Sequence, residues 1–137
     1  MRRSPFIFCV ISVMLFVLSA CGGSQGPSTN FKVDMIEFTF MPSEFTVPAG
    51  KEITITAVNG GAVEHEFDIF KLGQTPGDKF DEADKPNVYW QLKVAPGETQ
   101  TATFTAPAEA GEYYVTCGTP GHHEAGMNGK LIVVGAK

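Results

Sequence analysis

An all-β fold, a sandwich or barrel of short strands, is the class this sequence predicts, and three observations predict it. Apolar residues recur with period two in several short runs. Pro and Gly clusters divide those runs at close intervals. With 43% hydrophobic and 11% aromatic residues, 137 positions can enclose one core and leave no room for a second domain. A charged fraction of 18% is not that of a disordered chain.

Taken in order, the chain opens with Met1-Arg2-Arg3 and an apolar run from Phe6 to Leu18, ending in Leu18-Ser19-Ala20-Cys21. A basic start, a short apolar stretch and small residues before a cut make residues 1–20 an export signal, too short to span a membrane comfortably. Leu-Ser-Ala-Cys resembles the lipobox of bacterial lipoproteins, which implies lipidation at Cys21, attachment to a membrane, and a position in the cell envelope facing the periplasm or exterior. Residues 21–30 are Gly, Ser, Pro, Gln, Thr and Asn after the Cys, a flexible tether reaching roughly 30 Å when extended. The folded domain is expected over 31–137. Without Arg2 and Arg3 the formal charge moves from −5 to −7, so nothing invites nucleic acid, and a basic protein partner suits the balance better.

Within the domain, Ile36, Phe38 and Phe40 alternate with Glu37 and Thr39. Ile53, Ile55 and Ala57 alternate with polar residues, as do Ala102, Phe104 and Ala106. Turns are expected at Met41-Pro42-Ser43, Pro48-Ala49-Gly50, Asn59-Gly60-Gly61, Ala95-Pro96-Gly97 and Ala106-Pro107. Leu72 to Asn87 follows no period and reads as a surface excursion, with a short helix expected around Asp78 to Ala83.

The chemistry concentrates in Tyr113 to Lys130. Cys117, His122 and Met127 stand at spacing Cys-x4-His-x4-Met, with Pro120, Gly121 and Gly126 bending the chain between them. Soft thiolate and thioether with imidazole favour copper over calcium or magnesium, and a weak axial Met favours a blue-copper site. A further His is required upstream, and His65 supplies it. Cys9 leaves with the leader and Cys21 takes lipid, so Cys117 is the one thiol of the domain; in an oxidising compartment it is either buried or bound by metal. His123, at Cys-x5-His-x3-Met, competes with His122 for the ligand position. Met35 and Met41 have no comparable loop around them and read as packing.

Phe45-Thr46-Val47-Pro48-Ala49-Gly50, Ile53 to Gly60, His65, and Tyr113 to Val133 together resemble a cupredoxin of the plastocyanin, azurin and auracyanin type, over nearly all of Phe31 to Val134. The Cys-x4-His spacing is azurin-like, whereas His-x4-Met is similar to plastocyanin. The resemblance implies an eight-stranded Greek-key β-sandwich with one copper at one end. It implies His65, Cys117 and His122 as equatorial ligands and Met127 as axial ligand, with Asn59 tying the ligand-bearing loops together from behind. Pro-Gly-His matches the family loop and selects His122 over His123, which then becomes a solvent-facing neighbour.

Other copper proteins are excluded by what the chain lacks. A binuclear site of the oxidase kind needs a second Cys where Gly121 stands, and three histidines cannot build catalytic copper beside this site. Hydrolytic zinc would leave its fourth position open to water, which Met127 fills. The expectation is a monomeric, non-enzymatic carrier of single electrons between redox proteins such as a cytochrome or membrane oxidoreductase. Copper storage or delivery is the alternative. The acids Asp78, Asp81, Glu82 and Asp84 are either simple solvation or a steering face for a basic partner around His122.

Overall fold

The computed structural model describes residues 26–135; the expected export signal, Cys21 and the start of the tether lie outside the described residues. Nine strands form two packed sheets among the described residues, one more than expected. They are β1 (Asn30–Ile36), β2 (Thr39–Met41), β3 (Glu44–Pro48), β4 (Glu52–Asn59), β5 (His65–Phe70), β6 (Val88–Val94), β7 (Thr99–Thr105), β8 (Gly111–Thr116) and β9 (Asn128–Val134). One sheet runs β2-β1-β4-β7 and the other β3-β9-β8-β5-β6. Pairings are antiparallel except β1 with β4 and β3 with β9, where the chain crosses between sheets before it pairs.

Period two fixes which residues face inward. Ile53, Ile55 and Ala57 of β4 are fully buried, facing Val47, Val115, Leu131 and Val133 in one continuous core. Phe67 sits at its aromatic centre, with ring centroids 5.3 Å from Phe40, 5.4 Å from Phe45 and 6.2 Å from Phe31. Each such side chain removed from water contributes about 1.5–3 kcal/mol, which makes the sandwich a stiff support for its loops.

Four expectations are corrected in detail. The alternation Ile36, Phe38, Phe40 does not continue one strand: a tight turn at Glu37-Phe38 pairs Ile36 with Thr39 and leaves Ile36 and Phe38 exposed, with only Phe40 inside. Met41 is 49% exposed rather than packed, while Met35 is in the core. The tether ends earlier than Asn30, because Ser28 N–H donates to Thr46 O, the Thr29 carbonyl accepts from Thr54, and Asn30 begins β1; polar composition conceals backbone pairing of this kind. The excursion carries no helix at Asp78 to Ala83; its one helical piece is a 3₁₀ turn at Lys85–Asn87, placed by Pro86 at its start.

β5 is the strand on which the site depends. All six of its residues are buried. His65, Phe67 and Ile69 point toward the core end, whereas Glu66, Asp68 and Phe70 lie on the outer face, and there the excursion covers them: the Phe80 ring packs edge-on to Phe70 at 5.6 Å.

Candidate metal centre

Three connections meet at one end of the sandwich: the β1–β2 turn, the β4–β5 loop leading to His65, and the β8–β9 loop carrying Cys117, His122 and Met127. The last is folded by its own backbone. His122 N–H donates to Thr119 O, Ala125 N–H to Gly121 O, and Gly126 N–H to His123 O. Met127 N–H donates to His122 O and Cys117 N–H to Met127 O, so Met127 is bonded through its backbone to both other loop donors, and its side chain is fully buried.

His65 Nδ1 lies 3.9 Å from Cys117 Sγ, His122 Nδ1 lies 3.5 Å from the same sulfur, and the two nitrogens are 3.2 Å apart. Donors held about 2.0–2.3 Å from a shared ion stand roughly 3–4 Å from one another, so these three atoms are spaced for one metal. All three residues are buried, His122 being 7% exposed. Burial holds the His65 imidazole below its usual range, with His122 adding in the same direction, so the ring is neutral and its lone pair available. Burial pushes the Cys117 thiol up, opposed by the Glu66 N–H that donates to Sγ at 3.3 Å. A bound cation would offset that cost of ionisation, and a soft sulfur with two imidazoles is a donor set for copper.

The chain's support for this triad differs from expectation. Asn59 is buried, and its amide donates to Val63 O and Val94 O, both at 2.8 Å, while its Oδ1 accepts from Gly61 N–H. It therefore shapes the loop before His65 and ties it to β6; the link to the Cys117 loop belongs instead to Thr119, whose hydroxyl donates to Glu64 O at 2.8 Å. His123 is not solvent-facing. Its Nε2–H donates to Gly77 O at 3.0 Å, and Nδ1 lies 3.0 Å from both Thr116 Oγ1 and Asn128 Oδ1, which points the ring away from the triad and onto the excursion.

Behind the thiolate lies a group that no residue pattern singles out. Asp68 is fully buried with neither carboxylate oxygen hydrogen-bonded, and burial pushes its carboxyl up to about 7, with the Glu66 carboxylate adding to the effect and Gln91 and Lys93 opposing it. A Cβ on Gly118 would collide with Asp68 Oδ2, Glu66 Oε2 and Phe80 Cε1, so a larger residue after Cys117 would have to push these side chains aside. Period two on β5 puts Glu66 and Asp68 on the outer face, a position that ordinarily means water; only the excursion's path changes that.

Residues 8–133 match the cupredoxin-like domain family. The chain belongs to the cupredoxin-like family. It is 35% identical to auracyanin-A of Chloroflexus aurantiacus, over 93% of this chain and 94% of that protein. It is 33% identical to the copper-resistant cuproprotein CopI of Rubrivivax gelatinosus, over 69% of this chain and 59% of that one. Among solved structures, dithionite-reduced auracyanin of Roseiflexus castenholzii superposes with a TM-score of 0.67 at 32% identity, covering 80% of this chain and 99% of that one. The cupredoxin β-sandwich with a blue-copper donor set is thus established for this chain, and with it the capacity for copper electron transfer.

Proposed function

We propose that this cupredoxin is a mononuclear type 1 copper electron carrier at the cell envelope, with His65, Cys117 and His122 as its strong ligands, Met127 as a weak axial one, and Cys21 as a lipid attachment point. The observation that carries this reading is the convergence of His65 Nδ1, His122 Nδ1 and Cys117 Sγ within 4.8 Å of one another in a buried site. Copper bound there supplies a one-electron couple. The chain holds its donors on strand ends and a loop closed by backbone bonds, so the same arrangement persists in both oxidation states and little reorganisation accompanies electron transfer. With Met127 as the fourth donor, no position would be left open for a substrate, which suits a carrier more than an enzyme.

His122 is the port through which electrons pass. Its ring lies against Phe38, edge-on at 5.3 Å, and Phe38, with exposed Pro120 and Ala125 of its own loop, offers apolar or small surface beside it. A cytochrome or a membrane oxidoreductase with a basic rim fits the acidic net charge of the chain. The deciding experiment is the visible spectrum of copper-loaded protein: intense blue or green absorption that bleaches on reduction is expected, and a colourless Cu(II) form would overturn the assignment. Membrane fractionation tests the anchor, with Cys21→Ser expected to release or block processing of the protein.

Copper handling is a second reading, favoured by the similarity to the copper-resistant cuproprotein. A carrier keeps Cu(I) through repeated redox cycles, whereas a delivery protein surrenders it. Rapid transfer of Cu(I) to a competing chelator would favour delivery.

A further inference from the structure

The His65 ring uses one nitrogen toward the other donors and leaves the second unaccounted for. Nε2 is buried and has no hydrogen-bond partner. A buried polar group left unpaired costs about 1–3 kcal/mol. A metal-ligating His ordinarily donates this remote N–H to a carboxylate, carbonyl or water, which fixes its tautomer and ring plane and raises its basicity.

Gly61 shows what lies opposite. A Cβ there would sit 2.5 Å from His65 Nε2 and 2.6 Å from Glu37 Oε1, so imidazole and carboxylate face each other across a glycine with no side chain able to stand between them. Glu37 occupies the β1–β2 turn, where it already accepts the Ala62 N–H. The next residue, Phe38, has φ 63°, a left-handed conformation costly for an aromatic residue, and it is the only non-glycine among the described residues with positive φ. That backbone places the Phe38 ring against His122. One strained turn therefore addresses both histidines. The Ala62 N–H also holds the Glu37 carboxyl below the usual range, which favours its charged form.

We propose that Glu37 is a positioning residue for His65, its carboxylate accepting the Nε2–H of the ring when His65 ligates copper, and placing behind the ligand a negative charge that favours the oxidised metal. This rests on the copper reading above. Glu37 is exposed, so water screens part of that charge, but the direction of its effect is fixed.

Three variants separate this role from simple loop anchoring. Glu37→Gln keeps an acceptor for Ala62 N–H and removes the charge; Glu37→Ala removes both; Gly61→Ala inserts a methyl between the two groups. In reduced, diamagnetic protein, the His65 Nε2–H resonance is expected to exchange slowly with solvent in the wild type and at least tenfold faster in Glu37→Ala and Gly61→Ala. The reduction potential is expected to rise in Glu37→Gln while the Ala62 amide stays protected. Blue protein in which Glu37→Gln leaves both the potential and the His65 resonance unchanged would overturn the proposal and leave Glu37 as a loop anchor only. A chain that takes up copper without colour defeats the copper reading instead. The metal-free protein then decides the contact by itself: the His65 nitrogen shifts move in Glu37→Gln if the two groups meet and stay fixed if they do not.

Discussion

The metal end of this sandwich has two flanks of opposite character. On the histidine flank, exposed Phe38 packs edge-on against His122, and Ile36 and Val63, in the connections that meet at this end, are exposed as well. On the thiolate flank, two carboxyl groups, Glu66 and Asp68, are buried behind Cys117 and roofed by Phe80, with the excursion fastened by His123 to Gly77. One flank is finished with apolar surface that a partner can cover, the other with polar groups sealed by the chain itself. On the proposed function this difference divides the work: the histidine flank would serve as the electron port, and the thiolate flank would shield the sulfur.

The largest effect that would break this comparison is at the sulfur. Cys117→Ser should abolish the charge-transfer colour while leaving far-UV circular dichroism unchanged, since the side chains are nearly equal in size. Because burial raises the thiol, copper uptake must displace its proton, and the apparent affinity of the wild type should rise about tenfold per pH unit below the thiol's pKa. In the Ser variant that slope should vanish. A competition titration against a chelator at several pH values measures both.

Asp68 gives the next effect. With its carboxyl raised from 3.8 to about 7, the folded chain holds a proton that the unfolded chain has released anywhere between those values. Stability from this group therefore falls as pH rises across that window and is level above it, a change on the order of 4 kcal/mol at 1.36 kcal/mol per unit. Asp68→Asn removes the slope. Denaturant unfolding of metal-free protein should show the variant more stable than wild type at pH 8, with little difference near pH 4. Equal slopes would mean that the thiolate flank is hydrated.

The two adjacent histidines sharpen the contrast further. His122→Ala should open a ligand position that added imidazole refills. His123→Ala should leave the spectrum nearly unchanged but speed amide hydrogen exchange in the excursion, because it removes the bond to Gly77 O and frees Thr116 and Asn128. Spectral collapse in His123→Ala with an intact site in His122→Ala would move the ligand by one residue.

How much of this was legible follows from where the information sits. The donor loop is read from residue type and spacing, because copper chemistry limits the side chains that serve and a loop keeps its donors close in sequence. The strands Ile53 to Ala57 and Thr101 to Thr105 are read from period two. The turn at Glu37-Phe38 is not legible, because its apolar residues keep the strand's alternation even though Phe38 turns the chain through positive φ with no glycine to mark it. The buried state of Glu66 and Asp68 is hidden for a different reason: β5 shows ordinary alternation, and the cover comes from an excursion whose sequence has no period to follow. Asn59 is expected to tie the two ligand-bearing loops, but its partners are Val63 and Val94, which only tertiary structure specifies.

The smallest effect concerns the residue that joins the flanks. Thr119 leaves the thiolate strand end and donates its hydroxyl to Glu64 O, one residue before His65, at 2.8 Å. That bond is one side-chain tie between the two ligand-bearing segments, beside the Glu66 N–H donated to Cys117 Sγ, and its partner is a carbonyl at an exposed position, so water can replace the lost donor. Thr119→Val keeps shape and β-branching while deleting the donor, and a net cost of about 0.5–1.5 kcal/mol in unfolding free energy is expected. The expected functional signature is a freer His65 segment: faster exchange of the amides at Val63 and Glu64 with the Cys117 and His122 positions undisturbed, and hence a blue spectrum of nearly wild-type intensity. If Thr119→Val instead bleaches the site, the flanks are coupled through this hydroxyl, and the rigidity of the centre resides in the Thr119 bond more than in the strands that carry its ligands.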